Sequence, residues 1–509
     1  MSNTMLSDFA AMPTTVASAL LAQSDALAAA EPAAREPLGL PALLALFVVG
    51  SALALVAFRL MRPVHLALGF AATTAMWAIG YIAMMAPGLW IGEALFALTL
   101  AVPVAAGAVA RRAGASPVRT GLVSAFLNLL VIGAFLRDEQ GGSRLAPVLY
   151  VAGLFVASGG LAAFGGFLAR RARPLALPAP ASLFALVAAA TVFILLVTGG
   201  LVTGLESGLA VPDWPNSFGH NMLLYPISEM RGGIYYEHAH RLFGMLVGTA
   251  ALGLVSIVFR EESRGWVKGL ALLFLAMVCV QGLLGGLRVT GTLTTATSGL
   301  ELSPSTTLAI VHGMFGQAVF ATACVIACAA SGLWRRTAAV AGLADAGRLR
   351  GLPVALVLAL VAQLFLGAAY RHLQIPPHDG EAAVHPAWPI WGHVTGAFVV
   401  LTLAVVTGAY ASSRMRGFAP MRILGKGLVH AVGLQFALGI GALVVVLIRT
   451  DAAIPVYEVA VTSGHQAIGA LILATAASLA AWSLHAVMAP GAAAMANGSP
   501  VVAPGSVAS

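Results

Sequence analysis

Apolar stretches of about twenty residues, the length that crosses a bilayer as a helix, recur from about residue 40 to residue 487 with short polar breaks between them. Thirteen such spans can be drawn, at about 41–60, 64–85, 91–110, 117–136, 146–169, 182–203, 239–259, 269–287, 306–331, 352–370, 389–411, 427–448 and 463–485. Alternating ten-residue segments, the mark of a transmembrane barrel, are absent. The pattern predicts an all-α polytopic membrane protein: about five helices first, then eight that divide into two pseudo-symmetric four-helix bundles.

Composition agrees: the 509 residues are 60% apolar and 9% charged. The net charge of +8 does not call for nucleic acid, because the charges are sorted by membrane side. With the N-terminus outside, 19 of the 27 basic residues and only Glu261, Glu262 and Asp345 of the 19 acids fall on one face. Basic loops mark the cytoplasm, so the C-terminus is expected inside. Cys279, Cys324 and Cys328 lie within spans and form no metal-binding pattern, as buried small hydrophobes do.

The organisation follows. Residues 1–40 read as an extracytoplasmic N-terminal segment, with no basic n-region of a signal peptide. Residues 41–173 form an extra five-helix membrane region without evident chemistry; His65 and Glu93 stand alone in it. RRAR at 170–173 and the Pro-rich PLALPAPAS at 174–182 mark a boundary. Residues 182–331 and 352–487 are two four-helix halves, and 488–509 a disordered tail.

The halves are related by repeat. His240 to His312 is 72 residues, His393 to His465 is 72, and the offset between the pairs is 153 in both comparisons. Gly follows each histidine by one helical turn, at four residues in HRLFG, HGMFG and HQAIG and at three in HVTG. The helix preceding each of the last three carries Gln-x-x-x-Gly, from Gln281, Gln363 and Gln435; the first has VTGGLVTG at 197–204 instead. Ionisable residues within spans are costly and usually functional. Two imidazoles from facing helices suit the axial positions of a haem iron, and the pairing by half gives two metal-binding sites, His240 with His312 and His393 with His465. The glycines are read as room for a flat macrocycle. Zinc or di-iron would need further carboxylate or cysteine ligands.

The stretch YYEHAHRLFG at 235–244 separates the halves. Glu237 lies three residues before His240 and Arg241 follows it; the matching positions around His393 are Ile390 and Val394. The first half is therefore read as a reaction site, and the second as a permanent cofactor site without a carboxylate. Arg241 is offered as partner for a haem propionate. His238 is expected to face away from His240. His220, His372, His378 and His385 are placed in outer loops, and His430 and His485 on the inner side without partners. The loop 204–236 is long enough to lid a site, with Asp213 and Trp214 in a fixed turn between prolines.

With SGLAVPDWP at 207–215, EHAHR at 237–241 and the duplicated helix histidines, residues 182–487 resemble the haem A synthase family. The resemblance implies an oxidoreductase of haem biosynthesis that acts on a CH group, converting the C8 methyl of haem O to a formyl group through hydroxylated species, to supply haem A for cytochrome oxidase. It implies haem O bracketed by His240 and His312, Glu237 in catalysis, and a haem b cofactor on His393 and His465. It further implies a multi-pass protein of a bacterial plasma membrane with its haem sites near the outer face. Expected partners are haem O, membrane lipid, and contact with haem O synthase or a cytochrome oxidase assembly factor; nucleic acid is not among them, and a homo-oligomer is left open. The Cys pair that many members carry around PDWP is missing here, where Ala210-Val211 and Asn216-Ser217 stand. Two other readings share the paired histidines: a di-haem b-type electron-transfer protein, such as a quinol or ferric reductase, and a haem or solute transporter.

Overall fold

The computed structural model of the chain describes residues 40–85, 90–137, 145–291, 305–340, 343–373, 386–449 and 454–488. The chain divides into two compact units, residues 1–50 and 51–509; all contacts given below lie in the second. The first described helix, α1 (Leu40–Leu60), is followed by α2 (Pro63–Met84), α3 (Trp90–Leu98), α4 (Ala101–Arg112), α5 (Pro117–Arg137) and α6 (Ala146–Leu168). Next come α7 (Pro180–Gly204), α8 (Gly232–Glu261), α9 (Gly265–Thr290), α10 (Thr306–Ala329) and the short α11 (Gly332–Arg336). The last four are α12 (Ala346–His372), α13 (Ala387–Arg414), α14 (Ala419–Ile448) and α15 (Val456–Ala486).

Among the described residues eleven helical segments are long and apolar enough to cross a membrane, and parts of α1 and α5 form two shorter apolar helices. The protein is an all-α polytopic membrane protein. One expected span is broken: 91–110 is built from α3 and α4. Pro103 sits one turn beyond Thr99 and has no N–H for the Thr99 carbonyl, so the helical ladder is interrupted there.

α7, α8, α9 and α10 pack in sequence and α10 returns to α7; α12 to α15 do the same, with α15 returning to α12. These two rings meet where α10 touches α12 and α15, and where α15 touches α7. Gly200 and Gly204 admit the last contact: a Cβ on Gly200 would stand 2.7 Å from Gln466 Oε1, and one on Gly204 3.1 Å from Val459. Small residues at crossings are how membrane helices approach closely.

The region 51–173 packs tightly within itself through Gly107 on Ala162, Gly121 on Ser158 and Gly165 on Val104. It docks on the first ring by way of α2, which lies on α7 and α8. Phe58, Phe70 and Phe184 make a chain of edge contacts at 5.8 and 5.1 Å. Thr74 Oγ1 is 2.9 Å from Thr191 Oγ1, Tyr81 stacks on Tyr235 at 5.3 Å, and Tyr235 Oη donates to the Tyr81 carbonyl. Arg260 at the end of α8 donates to the carbonyls of Phe58, Arg59 and Met61 at the C-terminal end of α1, where the helix's own N–H groups run out. His65 is not alone, as its Nε2 accepts from Ser116 N at 3.0 Å. Nor is His485, which stacks on Trp334 at 4.0 Å and donates from Nε2 to the Trp334 carbonyl at 3.0 Å. Both bonds go to backbone groups that spacing along the sequence does not reveal. His430 is exposed.

The turn between α8 and α9 is held by Glu262, which is buried and accepts from Arg264, while Arg264 Nη2 also donates to the Ala329 carbonyl at 2.7 Å. The side-chain bond from Arg264 holds the Glu262 carboxyl down at about 2; burial opposes this, and the backbone N–H groups of Arg264 and Ser263 assist. A depressed carboxylate stabilises the fold above its ordinary range near 4.5 and loses that contribution as pH falls through its folded value. Thermal unfolding should therefore show wild type above Glu262→Gln at neutral pH, with the gap narrowing as pH drops from 4.5 toward 2. A gap independent of pH would contradict the ion pair.

Candidate functional site

Each of the four helix histidines lies against a glycine of the preceding helix. A Cβ placed on Gly199, Gly285, Gly367 or Gly439 would stand 2.9 to 3.1 Å from Cε1 of His240, His312, His393 or His465 respectively. The glycine of each Gln-x-x-x-Gly is thus the floor of an imidazole. The glycine after the histidine does a different job from the one expected of it. A Cβ on Gly316 or Gly469 would stand 3.0 or 3.2 Å from Nε2 of Gln281 or Gln435, and Gly396 likewise faces Gln363. Only Gly244 has open space beside it, in the half whose preceding helix carries Leu195 in place of the glutamine.

The bonds to these rings fix which nitrogen is available. His240 Nδ1 is 3.1 Å from Thr198 Oγ1, and that hydroxyl gives its only hydrogen to the Leu195 carbonyl at 2.9 Å. The ring must then donate from Nδ1, leaving Nε2 as the acceptor. His393 Nδ1 is 3.0 Å from the Gln363 carbonyl, which can only accept, so His393 Nε2 is also open. Pinning one imidazole nitrogen to orient the other is how metal-ligating histidines are held. Gln281 and Gln363 donate to the backbone carbonyls of His312 and His393 at 2.9 and 2.6 Å. Gln435 donates to His465 Nε2 at 3.2 Å. Nδ1 of both His312 and His465 is buried without a partner.

The structure brings His393 and His465 together, their ring centroids 6.1 Å apart and their planes crossed at 73°. Two imidazole nitrogens each about 2 Å from a shared metal put their centroids about 6 Å apart, so this pair fits an axially ligated iron, with the Gln435 bond given up on ligation. His240 and His312 are each within electrostatic range of Arg288.

Glu237 is 4% exposed. Its bonds run to the loop rather than to His240: Oε2 accepts from Val211 N at 2.8 Å, and Oε1 from Arg241 Nη2 at 2.7 Å. Arg241 Nη1 donates to the carbonyls of Asp213 and Asn216 at 2.7 and 3.0 Å, and Nη2 also to that of Val211 at 2.7 Å. All four terminal hydrogens of this guanidinium are therefore spent on the loop and Glu237. The loop is clamped at its other side as well. Asp213 accepts from Phe218 N and Gly219 N at 2.7 and 2.8 Å, closing a small hairpin of β1 (Asn216–Ser217) and β2 (His220–Asn221). Phe218 and Gly219 both have positive φ, 50° and 72°, the twist that a two-residue hairpin turn needs. The Trp214 ring lies on Gly286. His238 is fully buried beneath the hairpin, 3.0 Å from Ser217 Oγ and 5.0 Å from the Tyr225 ring. Burial, then the Glu229 carboxylate, push the Tyr225 phenol up from its ordinary value, so it remains a neutral group against that ring.

Several site residues were not evident from spacing. Thr198 replaces the missing glutamine as polar partner of the first ring. His372 is the last residue of α12 rather than part of a loop, within electrostatic range of Arg288, Arg371 and His312. His220 is in the hairpin; His378 and His385 lie outside the described residues. The second ring does contain a buried carboxylate, contrary to expectation: Glu458, 4% exposed, with Oε2 3.6 Å from Arg449 Nε. It lies two helical turns from His465, about 10 Å along the axis, against one turn between Glu237 and His240.

A family model described as cytochrome oxidase assembly protein, COX15-CtaA, matches residues 182–376. The haem A synthase resemblance is thereby found over the first ring and α12; it takes in Glu237, His240, Arg241 and His312 and stops before His393 and His465. No curated protein matches the chain.

Removing Arg241 should free the loop while leaving the helices folded. Hydrogen bonds to a charged group contribute about 1.5–3 kcal/mol each. In nanodiscs, Arg241→Met is expected to speed amide exchange at Val211, Phe218 and Gly219 by about tenfold or more, with α9 and α10 unchanged. Unaltered exchange at those three amides would show that the clamp lies elsewhere.

Proposed function

We propose that the protein is a haem A synthase, oxidising the C8 methyl of haem O to a formyl group for cytochrome oxidase. The assembly-family match over residues 182–376 supports a part in haem A synthesis. The observation that carries the finer reading is the repeated seating of an imidazole over a glycine, four times, with Nδ1 pinned on His240 and His393 and Nε2 left open. In this reading residues 182–331 are the substrate half and 352–487 the cofactor half. The positive charge near Arg59, Arg111, Arg264 and Arg335 supports placing that end in the cytoplasm and the histidines toward the outer face of a bacterial plasma membrane.

His240 and His312 bracket haem O. His393 and His465 hold haem b, which when bound supplies one-electron chemistry to the neighbouring half. Glu237 acts at the reacting side of His240. Each of its oxygens accepts one hydrogen bond and keeps a lone pair, so the carboxylate can take a proton from water without leaving the loop. Arg241 and Val211 N hold it in place, and the clamped loop over α8 and α9 shields the site from bulk water, which strengthens every charge interaction within. Arg241 contributes through this positioning rather than by reaching a propionate, since its terminal hydrogens are already engaged.

The reading is tested by supplying haem O to membranes holding the protein and weighing the extracted haems. Wild type should yield a hydroxylated species and haem A. Glu237→Ala should lose at least about a hundredfold in rate, the range of a general base, while its b-type spectrum persists. Conversion at the wild-type rate in that variant would remove Glu237 from the chemistry. A b-type spectrum that survives His393→Ala with His465→Ala would overturn the division between halves.

A further inference from the structure

Arg288 stands apart from the other arginines at the loop end of the bundle. It lies in the last turn of α9, one turn beyond Gly285, the floor under His312. Among the described residues it has no carboxylate within ion-pair distance and no hydrogen bond, and its Nε is buried without a partner. By contrast Arg241 is saturated by the loop, Arg371 has the Thr203 carbonyl and Glu206, and Arg449 has Glu458. An arginine part-buried at the end of a membrane helix, with its Nε shut off from solvent, is costly unless something pairs with it.

The surroundings say what kind of partner is missing. Gly208 of the loop lies against the guanidinium, where a Cβ would stand 3.0 Å from Nη2 and 3.1 Å from Nη1, so the loop adds no side chain on that side. The titratable neighbours within electrostatic range are His240 and His312, His372 from the other ring, and the already-paired Glu237. The patch thus centres on one planar cation whose Nε has no partner, one turn from the glycine under His312 and within electrostatic range of His240.

We propose that Arg288 is the anion site of the substrate half, receiving a carboxylate side chain of the macrocycle through its Nε and one Nη, with His372 as a second donor from α12. This rests on the reading of His240 and His312 as a haem O site. A guanidinium edge matches a carboxylate with two parallel bonds, and it fixes the macrocycle in its plane, which axial ligands alone leave free to rotate. Arg288 is in this sense a positioning residue that selects which ring edge faces Glu237.

The test uses the full-length protein, purified with its resident haem and titrated in detergent with haem O and with haem O dimethyl ester, following the Soret band. Wild type should bind the free acid about tenfold or more tightly than the ester, the worth of a charge-assisted pair. Arg288→Gln should lose that preference by weakening only the free acid, and Arg288→Lys should keep part of it. Arg288→Gln that binds both forms as wild type does, or weakens both alike, would refute the anion site while leaving the haem O reading intact. If wild type binds neither form, or if His240→Ala leaves the titration unchanged, the haem O reading fails and this proposal with it.

Discussion

Burying an imidazole between membrane helices is the constraint on which the rest of the structure depends. The ring is too bulky to fit between helices at close packing unless the facing helix offers backbone, and its nitrogens cannot be left to hydrocarbon. Glycine on the preceding helix answers the first demand at all four positions, through Gly199, Gly285, Gly367 and Gly439. A carbonyl, a hydroxyl or a glutamine one turn away answers the second. Where a nitrogen remains unanswered, at His312 and His465 Nδ1, the site keeps polar capacity inside an otherwise apolar bundle.

The two rings repeat this plan but diverge at the loop end. In the first, the loop 205–231 is stapled down by Arg241, Asp213 and Trp214, and Glu237 is the carboxylate beneath it. In the second, the buried carboxylate is Glu458, two turns from its histidine and paired with Arg449. The region 51–173 gains a physical role from this asymmetry. It packs on α7 and α8, stacks Tyr81 on Tyr235 two residues before Glu237, and presses Gly133 and α5 against Leu223 and Leu224 of the loop. It is a brace for the half whose loop covers Glu237.

How much of this could be read from the chain follows from the range of each interaction. The spans were legible because crossing a bilayer demands length and apolarity, both local properties. The four histidines were legible because duplication prints equal spacings. The glycines were visible, but the occupant of each lies on another helix, so the room meant for a macrocycle proved to be room for Gln281, Gln363 and Gln435. Arg241 offered no clue to its partners, three backbone carbonyls 25 to 30 residues away, since every residue has a carbonyl. The same applies to His65 and His485. The break at Thr99 could have been read from Pro103, and Glu458 from an acid near the start of an apolar run; Arg288 stood out only once its lack of a partner was known.

The claim that matters most is that each ring holds an iron between two imidazoles seated over glycine. It is tested most directly by low-temperature electron paramagnetic resonance of the oxidised protein as purified. His393 and His465 cross at 73°, so the account predicts the strongly anisotropic low-spin ferric signal of two imidazoles with crossed planes. A high-spin signal, the rhombic low-spin signal of parallel imidazoles, or no ferric haem signal at all would contradict it.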